Sequence, residues 1–153
     1  MATYFFDSST IVKRYSVEKG SRWVFSVQRP SGQNTIFVAR ITGAEVVAAL
    51  ARKRKGRVLD RSLADKAIAR FTRHFNRYQR VSITDEIVAY AMLLADKHEL
   101  RGYDAIQLAA ALALQAEISN ISNDKIIFVS ADSDLNAAAR AEGLSVDDPN
   151  NYP

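Results

Sequence analysis

Short apolar runs alternate with longer amphipathic stretches along the whole chain, and that alternation limits the folds open to it. Residues 3–6, 35–38, 80–83 and 125–129 each read as a short strand, rich in β-branched or aromatic side chains. Helical patterns lie between them, over residues 9–15, 21–28, 42–55, 60–78, 85–98, 105–118 and 132–142. Their ends carry recognisable signals. Asp7-Ser8-Ser9 closes the first strand and caps a helix, and Pro30 stops the second helix. Thr42 followed by Glu45 makes a Thr-x-x-Glu capping-box pattern, Thr84 caps the next helix, and Gly143 closes the last one. Residues 105–118 are apolar almost all round, which places that helix in the middle of the protein. Strands alternating with helices imply an α/β fold: three layers, α/β/α, around a mainly parallel central sheet, with residues 144–146 as an edge strand. The chain contains no repeat, low-complexity tract or linker, so residues 1–153 form one domain.

Against this frame four acids stand out. They are Asp7 after Tyr4-Phe5-Phe6, Glu45 before Val46-Val47, Asp104 before Ala105-Ile106, and Asp132 after Phe128-Val129-Ser130-Ala131. A carboxylate with apolar flanks is drawn toward a core where its charge is costly. Each taken singly can be explained as a helix cap or a partner of a helix dipole. Together they fall where a functional crevice belongs. Asp7 and Asp132 sit at or just beyond the carboxyl ends of two strands, Glu45 follows a third, and Asp104 opens the buried helix. Clustered carboxylates suit a hard divalent cation such as Mg²⁺ or Mn²⁺. Such neighbours repel one another, so at least one should hold its proton more tightly than an isolated acid.

Composition narrows the remaining classes. The absence of cysteine excludes disulfides and thiolate metal sites. No apolar run approaches the roughly 18 residues of a membrane span, and no secretory signal is visible, so a cytoplasmic protein is expected. Net charge is +4, but residues 52–80 hold eleven Lys and Arg against two acids, +9, which leaves −5 for the rest. A basic arm beside an acidic remainder points to a polyanion held on one face; a solvated helix face is the plainer explanation. Phe71, Phe75 and Tyr78, spaced by four and three, read as core or interface rather than as stacking platforms for bases. Trp23 and Tyr15 read as packing residues. His74 and His98 have no metal-ligand spacing, and no glycine-rich phosphate loop occurs to suggest a nucleotide cofactor.

Phe-Asp-Ser-Ser-x-x-Val-Lys-Arg-Tyr at the start, Thr-x-x-Glu in the middle, Leu-Arg-x-x-Asp-Ala-Ile-x-Leu-Ala-Ala-Ala from Leu100, and Val-Ser-Ala-Asp-x-x-Leu-x-x-Ala-Ala from Val129 resemble the PIN-domain ribonucleases. More narrowly they resemble the VapC-type toxins of type II toxin–antitoxin pairs. The resemblance runs over essentially the whole chain, and the segment from Leu100 to Ala111 is its most specific part. It implies a metal-dependent endoribonuclease, with Asp7, Glu45, Asp104 and Asp132 as catalytic and metal-binding acids for one or two Mg²⁺ or Mn²⁺ ions. Ser8 and Ser130 match supporting hydroxyl positions, and Asp134 is a further helper candidate. It also implies an RNA substrate, a homodimer, and a VapB-type antitoxin whose C-terminal segment fills the groove, with no role for a membrane. Arg52, Lys53, Arg54, Lys55, Arg73 and Arg77 then become contacts to RNA or antitoxin. Three other readings compete: an RNA-maturation nuclease without antitoxin, a non-catalytic RNA- or protein-binding module, and a response-regulator domain. The last lacks the lysine-bearing strand end that it needs.

Overall fold

In the computed structural model, which describes all 153 residues, five parallel strands form one sheet in the order β3-β2-β1-β4-β5. The strands are β1 (Thr3–Phe6), β2 (Thr35–Ala39), β3 (Gln79–Val81), β4 (Ile127–Val129) and β5 (Ser145–Asp147). The helices are α1 (Ser8–Tyr15), α2 (Ser21–Val27), α3 (Thr42–Lys55), α4 (Arg61–Phe75), α5 (Asp85–His98), α6 (Gly102–Ser119) and α7 (Ser133–Ala141). The three-layer α/β/α architecture expected from the alternation is therefore present. No helix is long and apolar enough to cross a membrane.

Strand geometry explains the layers, because successive side chains point to opposite faces. Phe5, Ala39 and Phe128 face one way and join Leu94, Leu108 and Leu135 beneath α5, α6 and α7. Phe6, Val38 and Val129 face the other way and join Ile11, Val24, Leu50 and Phe71 beneath α1 to α4. Phe5 and Phe128 stack across the β1–β4 pair with ring centroids 5.8 Å apart. A sheet covered on both faces must be apolar on both, which is why its strands read as unbroken apolar runs.

The strand order sets the place of the site. From β1 the chain builds β2 and β3 on one side, then returns to lay β4 and β5 on the other. The carboxyl ends of β1 and β4 thus flank the switch point of the sheet, where a crevice opens. There the Asp7 amide donates to the Val129 carbonyl at 3.1 Å, tying the two strand ends together.

One expected local feature is absent. Thr42 and Glu45 form no capping box: Ile41 precedes α3 with φ −62° and ψ −23°, already helical, and no side chain caps that end. Both side chains turn inward instead, toward the buried Gln107 of α6. A buried amide demands acceptors, and Thr42 and Glu45 are the ones in reach. Smaller shifts affect β3 and β4: the first begins one residue before Arg80 and ends at Val81, and the second begins two residues after Lys125.

Replacing Phe5, which is fully buried, by alanine should cost about 3–5 kcal/mol. That corresponds to a fall in Tm of roughly 6–20 °C for a domain of this size. Thermal unfolding by circular dichroism measures it, and a change under 2 °C would contradict the packing described.

Candidate active site

Asp7 caps α1 and is also the most buried of the four acids, at 3% exposure. Its Oδ1 accepts from the Thr10 amide at 3.0 Å and from the Ser9 hydroxyl at 2.7 Å. Its Oδ2 accepts from the Ser130 hydroxyl at 2.7 Å. Burial raises its pKa above the ordinary carboxylate range, and these donors act against that rise. Ser9 and Ser130 serve twice, since their Oγ atoms also accept from the amides of Ala131 and Asp132, each at 3.0 Å. The loop after β4 is thereby fixed to the start of α1.

Glu45 stands on the first turn of α3, following β2. Ser8 donates to its Oε2 at 3.1 Å, and Gln107 Nε2 donates to its Oε1 at 2.7 Å. The Gln107 amide also donates to Thr42 Oγ1 at 2.9 Å, so α6 holds α3 through a buried polar bridge. Burial raises the pKa of Glu45, and the charges of Asp7 and Asp104 add to that, against the two hydrogen bonds. Asp104 sits within the first turn of α6 and caps nothing, because Arg101 holds the cap position. Burial raises its pKa first, then the charges of Asp132 and Asp7, against the charge of Arg101. Asp132 caps α7, its Oδ1 accepting from the amides of Asp134 and Leu135 at 2.9 and 3.1 Å.

All four acids therefore lie at the carboxyl edge of the sheet, joined by mutual repulsion: Glu45 feels Asp7 and Asp104, and Asp104 feels Asp7 and Asp132. Two of them are caps as well, and two are not. No three of the carboxylates are drawn close enough to make a ready metal cage. The donor chemistry nevertheless fits a hard cation. No Lys or Arg forms an ion pair with any of the four, Asp104 accepts no hydrogen bond, and Gln107 Oε1 is buried without a donor. The site is a surplus of oxygen acceptors, the ligand type that Mg²⁺ and Mn²⁺ take.

A cavity of about 660 Å³ opens beside this group, between α1 and α3. Ser8, Ser9, Glu45 and Ala131 line it beside the acids, Val12, Ala44 and Ala48 supply apolar surface, and Arg52 and the ion pair of Lys13 with Glu18 also line it. Tyr103, 62% exposed, stands at its side. Among the other expected residues, Ser8 and Ser130 reach the acids directly. Asp134 does not: its amide serves Asp132, while its exposed side chain lines a separate cavity with His98 and Glu99. The basic arm is split. Arg52 faces the cleft, Lys53 pairs with Glu18, Arg54 pairs with Asp65 at 2.6 Å, and Lys55 joins Arg54 and Arg57 around a second basic hollow. Arg73 and Arg77 lie at the opposite end of α4, whose 15 residues span about 22 Å. Phe71 is in the core, and Phe75 and Tyr78, partly buried, pack against it.

The family model for the PIN domain matches residues 4–141. The chain belongs to the PIN-domain family. This PIN domain is 29% identical over 146 residues, 95% of each chain, to the proteins named Ribonuclease VapC45 and Ribonuclease VapC49 from two strains of Mycobacterium tuberculosis. Its fold is similar to that of a chain from a toxin–antitoxin complex from Klebsiella pneumoniae, with TM-score 0.61, 18% identity and coverage of 95% and 97% of the two chains. It is similarly close to VapBC2 from Rickettsia felis, bound to a promoter DNA fragment, with TM-score 0.62, 12% identity and coverage of 95% and 98%.

Gln107, Ser9, Thr10 and Asn136 escaped the sequence reading. Gln107 leaves a signal, being the one polar residue between Ala105 and Leu114, three residues after Asp104 and so on the same helix face. Asn136 is 2% exposed and donates to the Ser130 carbonyl at 2.8 Å, four residues after Asp132.

The raised pKa of Asp104 carries a stability consequence. An acid with a raised folded-state pKa stabilises the fold only while protonated, and that contribution is lost as pH climbs from the ordinary carboxylate range through the raised value. Asp104→Asn should therefore raise Tm in EDTA by a few degrees at pH 7–8, and the gap should close toward pH 3. A melting series against pH measures this; a variant less stable than the parent at pH 8 would contradict it.

Proposed function

We propose that this protein is a metal-dependent endoribonuclease and the toxin of a type II toxin–antitoxin pair. The observation that carries the reading is the set of four acids, none of them in an ion pair, at the switch point of the sheet. The ribonuclease names of the two Mycobacterium tuberculosis relatives supply the substrate class. Asp7, Glu45, Asp104 and Asp132 would hold one or two Mg²⁺ or Mn²⁺ ions, whose Lewis acidity makes water a better nucleophile and offsets charge gathering on the phosphate.

The chain's own residues prepare that chemistry. Ser9, Thr10 and Ser130 fix the Asp7 carboxylate by donating to it, which keeps it in place without neutralising it. Ser8 and Gln107 do the same for Glu45 from two directions. Asp104, free of hydrogen bonds, is the acid best able to hold or release a proton as a phosphate approaches. Arg52 at the cleft supplies positive charge to draw RNA across the acidic group, a contact that adds affinity and salt dependence but no choice of sequence.

The antitoxin belongs to the same proposal. The cleft combines apolar side chains with charged ones of both signs, a lining suited to a peptide segment that carries both apolar and charged side chains. The similarity to chains from toxin–antitoxin complexes supports it. So does the hairpin of α3 and α4, whose connected end carries the basic hollow. A homodimer completes the picture, and Met92 and Leu93, both 69% exposed on α5, offer apolar surface for it.

Purified protein incubated with a mixed RNA pool should cleave it with Mg²⁺ or Mn²⁺ and stop in EDTA. Asp104→Asn should lose at least about a hundredfold of that rate, the order seen when a charge-stabilising group is removed. Cleavage that persists in a folded Asp104→Asn protein would refute the assignment. Gln107→Leu keeps the volume but frees Glu45 and Thr42 from their shared donor. It should reduce Mn²⁺ affinity or cleavage by about 10–100-fold, and unchanged values would show that Gln107 only fills space.

A further inference from the structure

A second cavity, about 400 Å³, lies at the amino-terminal edge of the sheet, opposite the acids. Thr35 and Gln79, the first residues of β2 and β3, form its floor. Arg14 from the end of α1, His74 from the end of α4, and Arg77, Tyr78 and Gln28 form its walls. Its chemistry is one-sided. Arg14, Arg70, Arg73 and Arg77 all bear on His74, whose pKa burial lowers first and these four charges lower further. None of the four arginines forms an ion pair, whereas Lys13, Lys53, Arg54 and Lys97 each have an acidic partner.

The hydrogen bonds are equally lopsided. Gln28 Oε1 is taken by Arg14 Nη1 and by the Tyr78 hydroxyl, the latter at 3.1 Å. His74 Nδ1 and the Tyr15 hydroxyl share a hydrogen bond at 3.0 Å. Arg14 Nε and Gln28 Nε2 remain as buried donors without acceptors. Buried donors are ordinarily satisfied, and clustered like charges are ordinarily offset. What this hollow lacks is an anion with several acceptor oxygens. Guanidinium groups match the oxygens of a phosphate two at a time. The exposed Arg70 and Arg73 extend the same charge along α4, as a repeating polyanion would use it, and Pro30 and Ile36 are the only apolar side chains in the lining.

We propose that this cavity is a phosphate-binding site that holds a backbone phosphate of the RNA substrate on the edge of the sheet remote from the acids. The source of the phosphate rests on the ribonuclease reading; the site itself does not. The test uses the full chain in two parts. Inorganic phosphate titrated into the protein should shift the His74 ring resonances to saturation, and Arg77→Ala should abolish the response while Arg77→Lys largely keeps it. On the uncleaving Asp104→Asn background, adding Arg77→Ala should weaken binding of a single-stranded RNA several-fold and lower the salt slope by about 0.7, one phosphate contact. A His74 signal indifferent to phosphate would overturn the site. An unchanged RNA affinity and slope, or displacement of phosphate by an acidic peptide but not by RNA, would overturn the assignment to RNA. Phosphate and RNA binding without any cleavage would sink the nuclease reading and leave this site standing. Cleavage with unaltered Arg77→Ala binding would do the reverse.

Discussion

The structure turns on a carboxylate that is buried but kept by donors rather than by a counter-ion. Asp7 is at the switch point of the sheet, where β1 ends and the chain must leave for α1. Its three hydrogen bonds reach the first turn of α1 and the loop after β4, and the same serines then bind that loop's amides. Hydroxyl donors stabilise a charge without cancelling it, unlike a lysine or arginine. The fold thereby stores negative potential at one edge of its sheet, and Glu45, Asp104 and Asp132 add to it. The cost falls on the protein alone; a bound cation would remove it, which makes binding and stability two views of one interaction.

Charge is sorted along the strand axis. The acids occupy the carboxyl edge, and an unpaired group of arginines surrounds His74 at the amino edge. The sequence spreads its basic residues over one continuous arm, but α4 separates that arm into two ends, and ion pairs with Glu18 and Asp65 occupy part of the nearer one. A polyanion that met both ends would cross the molecule rather than cap one face.

Much of this was legible in the sequence, for physical reasons that can be named. β1 and α5 have the expected bounds because each ends in a local signal: Asp-Ser-Ser after Phe6, and Thr84 capping by accepting from the Ile87 amide. The four acids were visible because apolar flanks make a carboxylate conspicuous. The role of Glu45 in a capping box was misread because a capping box is a local pattern, and Gln107, 62 residues away, offered a buried donor that won. Interactions of that kind have no local signature. The unpaired arginines were hidden likewise, since only the packing of α1 against α4 brings Arg14 to the side of Arg77.

We propose that the four acids form one cation site. Calorimetric titration of the protein with Mn²⁺ near pH 6.5, in two buffers of different protonation enthalpy, tests it most directly. Saturable binding that releases protons is expected, because burial raises the pKa of Asp7, Glu45 and Asp104 and neighbouring carboxylates raise those of Glu45 and Asp104 further; that binding should be lost in Asp7→Asn. Folded protein that takes up no Mn²⁺, or takes it up equally after Asp7→Asn, would contradict it.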